Sequence, residues 1–483
     1  MFNPLIYLQN NRKMVYFGIE QTFVKRGWLV MIMAKTLRHK ITNHSRIFDP
    51  TLNIYNEALA FIINVIDNEF DDLSDISTKS IVSAVEKLIH TTKSNPLPKY
   101  KEFNQRFYKF PSYFRRSAIA TAFGKVKSYR SNYKNWLKEK EITLSEGKRF
   151  NKRPPRLQLE HKEFPVFYKT NMFQRTSDTT ARIKVFHHND WVWVDIEFRK
   201  QDLYKRDVWS WKEHNPKLVK VGKKYFLNIS YSNRVALSKT EINSQKVCAV
   251  DLGITNSAVC SIVDAKGTVL ARKFINQAKE KDRLYRMTNK LRKVQRESGW
   301  AAAPNYWRQI HGLQKHIINH TCHEIVKFAK ENKCEVIVFE YLNKMRVPKG
   351  FWGAKKLRFK LRYWRKTAIQ NKVKEMANYV GIRISRVNPR NTSALAFDGS
   401  GKVERNDKKD LAVFTTGKVY HADLSASYNI AARYFIRAYQ KSLPEKVWLS
   451  LQAKVPVLAN RTNQTLSSFI SLTKAMEAPA VTY

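Results

Sequence analysis

The sequence predicts a multidomain α+β chain, and three successive regimes of hydrophobic period predict it. Between 49 and 153 apolar residues recur at helical spacing, from about 156 to 240 the period is two, and from about 245 to 437 strand-like and helix-like runs alternate. With 483 residues and 43% apolar content, the chain can bury more than one core.

Residues 1–32 are expected to be an extension. Trp28 to Met33 is apolar, but it is too short to span a membrane and no small-residue cleavage signal follows it. Met31 and Met33 read as alternative translation starts, and 33–48 as a first strand. From Asp49-Pro50, Leu52, Tyr55, Leu59, Ile62 and Ile66 step by 3, 4, 3 and 4, which predicts a helix with Asp49 as its cap. A second helix is predicted after Pro111-Ser112, with Ala118, Ala122, Val126, Tyr129, Tyr133 and Leu137 as its apolar stripe. Arg115, Arg116, Lys125, Arg130 and Lys134 interleave with that stripe, a pattern suited to phosphate contact and base stacking or to a plain solvated face.

Arg153-Pro154-Pro155 reads as a linker. Arg182 to Phe186 and Trp191 to Phe198 then flank His187-His188-Asn189-Asp190, a predicted hairpin turn, and Tyr225 to Tyr231 is a further strand. The two histidines are read as turn residues rather than metal ligands. Together 154–244 suggests a small β-barrel or curved sheet. After it, strands at Val247 to Val250, Ser257 to Val263 and Thr268 to Phe274, helical sequence to about 332 and a strand at Val336 to Phe339 give the order β-β-β-α-β. RNase H-like folds open with that order.

Lys and Arg total 88 against 40 Asp and Glu, a formal net charge of +48 spread along most of the chain. Self-repulsion on that scale calls for a polyanionic partner, and nucleic acid bound through its phosphates is the expected one. Cys248, Cys260, Cys322 and Cys334 are too few and scattered for a disulfide framework. Cys248, Cys260 and Cys334, inside apolar strand-like runs, are expected to be small core residues in a reducing, prokaryotic cytoplasm, with the protein associated with the nucleoid.

Three carboxylates carry the predicted chemistry. Asp251 and Glu340 end buried strands, and Asp423 opens a helix that continues through Ala426, Asn429, Ile430 and Arg433. Converging carboxylates repel one another unless hard cations such as Mg²⁺ lie between them, and a pair of such ions suits phosphodiester hydrolysis. His421 beside Asp423 could assist a phosphate or make a structural hydrogen bond.

Ala249 to Val259 (AVDLGITNSAV), Val338 to Leu342 (VFEYL) and His421 to Ala431 (HADLSASYNIA) resemble the three RuvC motifs of TnpB proteins. These are transposon-encoded RNA-guided DNA endonucleases, related to compact type V CRISPR effectors. Tyr113 to Ala122 (YFRRSAIATA) is similar to their recognition-lobe helix. The resemblance implies a multidomain α+β architecture with a helical recognition lobe (49–153), a β-barrel wedge (33–48 and 154–244) and an RNase H-like RuvC core (245–390 and 421–437). It implies that Asp251, Glu340 and Asp423 are catalytic and hold two Mg²⁺ ions, or Mn²⁺ in their place. It also implies a guide RNA and double-stranded target DNA as partners, with the protein reading a short flanking DNA motif. No membrane association is expected. Lys355, Lys356, Arg358, Arg362, Trp364 and Arg365 resemble the basic helix after the second motif and are expected at nucleic acid.

The family's zinc ribbon is expected to be degenerate over 391–420. Thr392-Ser393 is in place, but the ligand positions correspond to Ala396, Gly399, Val413 and Thr416, none of which supplies the zinc-binding set, so no structural zinc is expected. Residues 438–483 are left as a C-terminal tail. Competing readings are an RNA-guided DNA-binding repressor without cleavage and a conventional transposase. An actin-like or sugar-kinase ATPase would share the opening Asp-Leu-Gly-Ile-Thr-Asn, but the charge and the third motif argue against it.

Overall fold

The structure, a computed structural model, describes residues 22–25, 28–44, 46–77, 80–159, 162–199, 210–238, 240–299, 303–342, 365–407 and 410–477. It is a mixed α+β chain of two compact units, one built on Ile32–Asn233 and the other on Gln21–Met31 with Arg234–Tyr483.

The first unit carries helices α1 (Asp49–Asn68), α2 (Phe70–Ser74), α3 (Ile81–Ile89), α4 (Glu102–Arg106) and α5 (Ser112–Ser145). The α1 stripe is buried as its spacing predicts, Tyr55 meeting Phe114 at 5.6 Å between ring centroids. Asp49 does not cap α1. It already lies in the first turn, and its carboxylate accepts hydrogen bonds from Lys220 and Tyr225. The α5 stripe is buried only as far as Val126, while Tyr133 and Leu137 are exposed. Beyond Val126 the helix has no second apolar face to cover, so its aromatic residues pack along the helix instead. Tyr129, Tyr133, Trp136 and Phe150 form a ladder with centroids 5.7–6.0 Å apart.

The strands of this unit form two sheets. One is the three-stranded meander β3 (Phe173–Arg175), β4 (Thr180–His187) and β5 (Asp190–Glu197). His188 and Asn189 both take positive φ, as a two-residue hairpin turn matched to strand twist requires. The other sheet sets the Ile32–Lys40 part of β2 (Trp28–Lys40) beside β8 (Lys224–Leu237), with β6 (Lys212–Glu213) and β7 (Lys217–Val221). β2 thus starts before residue 33. In the second unit its first residues, Trp28 to Met31, pair with β1 (Thr22–Lys25).

The second unit is organised by a five-stranded sheet of order β11-β10-β9-β12-β13. β9 (Lys246–Asp251), β10 (Ala258–Asp264) and β11 (Val269–Ile275) are antiparallel, whereas β12 (Val336–Glu340) runs parallel to β9 and to β13 (Arg383–Val387). β9 and β12 are apolar at every interior position because both faces of the sheet are covered. Alternation divides them: Cys248, Val250, Ile337 and Phe339 face α7 (Pro304–Glu331) and α8 (Lys366–Tyr379). Val247, Ala249, Val336 and Val338 face α9 (Ala422–Ser442). α6 (Ala278–Ser298) packs on α7. All four cysteines are buried and free, and burial pushes the thiols of Cys322 and Cys334 up to about 12.

The C-terminal segment is no appended tail. α10 (Glu445–Lys454) and α11 (Leu466–Glu477) add Trp448, Leu451, Leu466, Phe469 and Leu472 to the core, and Phe469 lies flat on Phe435 of α9 at 4.9 Å. Its low charge is the sign of this burial. Residues 394–421 form a small sheet of β14 (Glu404–Arg405), β15 (Leu411–Val413) and β16 (Val419–His421). Ala396, Ala412, Phe414 and Ala422 are its buried centre, with Phe397 and Tyr420 against them. Among the described residues no helix is long and apolar enough to cross a membrane.

Candidate active site

Parallel pairing of β9 with β12 aligns Val250 with Phe339, so the next residues on the two strands, Asp251 and Glu340, leave the sheet side by side. Interior apolar residues hold the strands in register, and the first position no longer enclosed on both sides is the carboxylate. Asp423 comes from the other face, in the first turn of α9, where the helix dipole favours negative charge. The bend after Asp251 brings it in. A Cβ at Gly253 would lie 2.8 Å from the Asn256 carbonyl oxygen, closer than side-chain carbons come, and at an ordinary 3.5 Å contact with Asp423 Oδ2, so glycine is required by the Asn256 carbonyl.

The three carboxylates sense one another. Burial, then repulsion from Glu340 and Asp423, holds the Asp251 carboxyl well above the usual carboxylate range, and Arg405 offsets this only in part. Glu340 is also raised, chiefly by burial, against the Thr392 hydroxyl and the charge of Arg433. Among the described residues none of the three has a Lys or Arg partner at ion-pair distance. This donor set, hard oxygens with unmatched negative charge, fits a hard divalent cation.

A polar layer fixes their backbones. Thr392 donates its hydroxyl to Glu340 Oε1, and Gln370 Nε2 donates to the Glu340 carbonyl at 2.9 Å. Buried Asn429 donates to the carbonyls of Thr392 and Leu395, each at 3.0 Å, and accepts the Leu466 N–H at 3.1 Å. One turn along α9, Arg433 donates to four carbonyls: Asn388 at 2.8 Å, Arg390 at 2.7 Å, Thr462 at 2.7 Å and Gln464 at 3.1 Å. Burial lowers its guanidinium to about 10, against the pull of Glu340. On the Asp251 side, Lys281 Nζ donates to the carbonyls of Ile254 and Thr255 at 3.0 and 2.6 Å. Burial lowers that amine to about 8. His421 Nδ1 is buried without a partner, and its ring meets Phe274 edge-on at 4.8 Å. Sequence reasoning placed Asn429 and Arg433 on one helix face but did not find their roles. Their partners lie 29 to 45 residues away, and no local pattern marks a carbonyl as an acceptor.

The expected nucleic-acid contacts divide. Arg115 departs from the expectation: it is buried, and its guanidinium is held at 3.1 Å by Glu86, which leaves it inside the helical core. Arg116 is exposed and shares Glu86, Lys125 pairs with Glu163 at 3.0 Å, Arg130 pairs with Asp67 at 2.7 Å, and Lys134 is exposed. Arg365 is exposed just before α8, whereas Lys355, Lys356, Arg358, Arg362 and Trp364 lie outside the described residues. At the expected ribbon positions Ala396 is buried, Gly399 takes positive φ beside Ser467, and the Thr416 hydroxyl donates to Asp398.

In comparisons with known proteins, the Aq_aa04 family matches residues 35–187. A TnpB-like protein of Aquifex aeolicus (strain VF5) is 27% identical over 237 residues, covering 44% of this chain and 75% of the relative. Among solved structures, CasPhi-2 (Cas12j) bound to crRNA shares 11% identity over 83% of this chain and 97% of its own, with a TM-score of 0.45. The mini-RNA-guided endonuclease CRISPR-Cas phi3 shares 10% over 83% and 92%, with a TM-score of 0.44. In sequence, then, this chain is similar to a TnpB-like protein over 44% of its length.

Proposed function

We propose that this protein is an RNA-guided DNA endonuclease of the RuvC type, with Asp251, Glu340 and Asp423 as its metal-holding catalytic residues. The observation that carries the reading is the position of these three carboxylates, at adjoining ends of the paired strands β9 and β12 and in the first turn of α9. The strand order 11-10-9-12-13, with one antiparallel wing and two parallel pairs, supports the reading of an RNase H-like core. Two Mg²⁺ ions, when bound, would activate a water and stabilise the leaving oxygen of a phosphodiester. The chain's own part is to hold three hard oxygens in low-dielectric surroundings. Thr392 orients Glu340, Lys281 secures the loop after Asp251, and Asn429 and Arg433 anchor the Asn388–Leu395 segment.

In this reading 49–153 is the recognition lobe, 33–48 with 154–244 the barrel wedge, and 391–420 a ribbon that folds on an apolar centre. The charge of +48 supports binding to guide RNA and target DNA through phosphates. The alternative is a relative that binds DNA under RNA guidance without cutting it, and the presence of all three carboxylates favours cleavage. Cleavage separates the two. The protein would be purified with its bound RNA, the RNA sequenced, and a DNA matching its variable end offered with Mg²⁺. Wild type should cut, and Asp251→Ala should bind the same RNA and DNA without cutting. Cutting by the variant at the wild-type rate refutes the site, absence of a defined RNA refutes guidance, and binding without cutting by wild type establishes the repressor.

A further inference from the structure

Helix α5 outruns the core it helps to build. Its last buried residue is Val126, and from Lys127 to Ser145 every residue is exposed except the half-buried Tyr129, Trp136 and Thr143. At 1.5 Å per residue this arm carries the helix roughly 28 Å past its last buried contact. The chain then returns along it. The Trp136 indole N–H donates to the Lys152 carbonyl at 3.0 Å, the Phe150 ring meets Trp136 at 5.7 Å, and Lys152 pairs with Glu139. These contacts brace the arm without covering it, and Tyr133, Leu137, Ile142 and Leu144 stay in solvent.

Two stripes run along the arm. On one, Tyr129, Tyr133, Leu137 and Leu144 recur at i, i+4, i+8 and i+15, with Tyr133 stacked on Trp136 at an interplanar angle of 28°. On the adjoining one, Lys127, Lys134 and Lys138 recur at i, i+7 and i+11. Between 127 and 156, ten Lys and Arg stand against three Glu. Arg130, Lys148 and Lys152 are engaged by Asp67, Glu146 and Glu139, whereas Lys127, Lys134 and Lys138 have no acid at ion-pair distance among the described residues. The buried half of α5 is the opposite case, since Arg115, Arg116 and Lys125 are all held by Glu86 or Glu163. An exposed apolar face alone would suit a protein partner. Unmatched cations beside it select a polyanion, and aromatic rings within reach of those cations suit unpaired bases, each of which has a π-face to lay on a ring. A duplex keeps its bases stacked inside and would meet the lysines only.

We propose that the distal arm of α5 is a docking surface for single-stranded nucleic acid, with bases on the Tyr129, Tyr133 and Leu137 face and phosphates on Lys127, Lys134 and Lys138. The inference rests on the proposed function only for the class of partner. It stands whether or not the protein is guided or cuts DNA, because no residue of the arm belongs to the carboxylate centre.

The test uses the full chain with fluorescein-labelled oligothymidylate and oligouridylate decamers and a DNA duplex of the same length, binding being read by anisotropy across a salt series. A chain of this charge binds nucleic acid at many places, so the variants decide. Tyr133→Leu keeps an apolar side chain and a good helix former but removes the ring. It should weaken single-strand binding by about fivefold or more and leave duplex binding within about twofold of wild type. Lys134→Gln with Lys138→Gln should weaken both and lower the salt slope for the single strands by about 1.4, the loss of two phosphate contacts. Lys446→Gln with Lys454→Gln, an equal loss of charge on exposed positions of α10, should leave that slope unchanged. Whichever decamer loses more in Tyr133→Leu assigns the arm to RNA or to DNA. Wild-type affinity for both decamers in Tyr133→Leu, or an equal loss for duplex and single strand, overturns the proposal. So does self-association of wild type, seen by sedimentation, that Tyr133→Leu abolishes without changing decamer affinity, since the face then belongs to a second copy. Each of these failures leaves the carboxylate site untouched, and failure to cut DNA leaves the arm untouched.

Discussion

Arg433→Met tests most directly how the second unit is held together. The guanidinium is 3% exposed and donates four hydrogen bonds, all to main-chain carbonyls, at Asn388, Arg390, Thr462 and Gln464. Methionine keeps most of the volume and removes every donor. An orphaned buried acceptor costs about 1–3 kcal/mol. Gln464 is itself buried, whereas Asn388 and Arg390 are exposed residues whose carbonyls water can reach. The Gln464 carbonyl therefore loses most and the others less. Loss of the charge returns something, since burial already strains the guanidinium down to about 10. The balance is a destabilisation of about 3 kcal/mol, most of it from one fully orphaned carbonyl and partial losses at three others. In a unit of roughly 250 residues this lowers the melting temperature by about 6–12 °C. Circular dichroism on the purified protein measures it. Arg433→Lys, which keeps the charge but not the fork, should fall between. A drop below about 2 °C for Arg433→Met would show that the C-terminal segment is anchored by apolar packing alone.

Two further outcomes follow from the same structure. The folded-state carboxyl of Asp251 is raised above its unfolded value, so its contribution to stability is present at low pH and is lost as pH rises through the folded value. Asp251→Asn should therefore melt above wild type at neutral pH without divalent metal, with the gap closing near pH 4, where the unfolded-state carboxyl also takes up its proton. Added Mg²⁺ should narrow the gap by stabilising wild type alone, and an unchanged gap across pH would remove the basis for the coupled site. In the small sheet, Phe414 is 2% exposed and forms its centre with Ala396, Ala412 and Ala422. Phe414→Ala should cost about 3–5 kcal/mol and speed hydrogen exchange across 394–421, while a zinc chelator leaves wild-type exchange unaltered.

What the sequence revealed and what it hid divide along a physical line. Period-two and period-3.6 patterns report only whether a residue faces a core, and they placed β9, β10, β11, β12 and α1 because those elements have one partner environment along their length. The α5 stripe misled beyond Val126 because a helix keeps its chemical pattern after its partner ends: Tyr133 and Leu137 fit the spacing but meet solvent. Arg115 misled in the opposite direction. Its place among exposed arginines gave no sign of Glu86, 29 residues earlier in the chain, which draws it into the core. Asp49 was misplaced by a single residue, since a cap depends on φ and ψ at one residue, and Lys220 and Tyr225 compete for its carboxylate from 171 and 176 residues away.

The candidate site shows the same division at closer range. Asp251, Glu340 and Asp423 are legible because each ends or begins an element, a local property. What makes them a centre is not local. The Leu466 N–H holds Asn429 Oδ1, the Asn429 amide holds the Thr392 carbonyl, and the Thr392 hydroxyl holds Glu340. Through those three links the packing of α11 on α9 reaches a carboxylate that burial disfavours. A site of this kind needs a stable frame, because the charges it gathers oppose folding until a cation joins them. The C-terminal helices, which carry no motif, supply that frame. Their removal should abolish the fixed position of Glu340 before it touches any residue of the site itself.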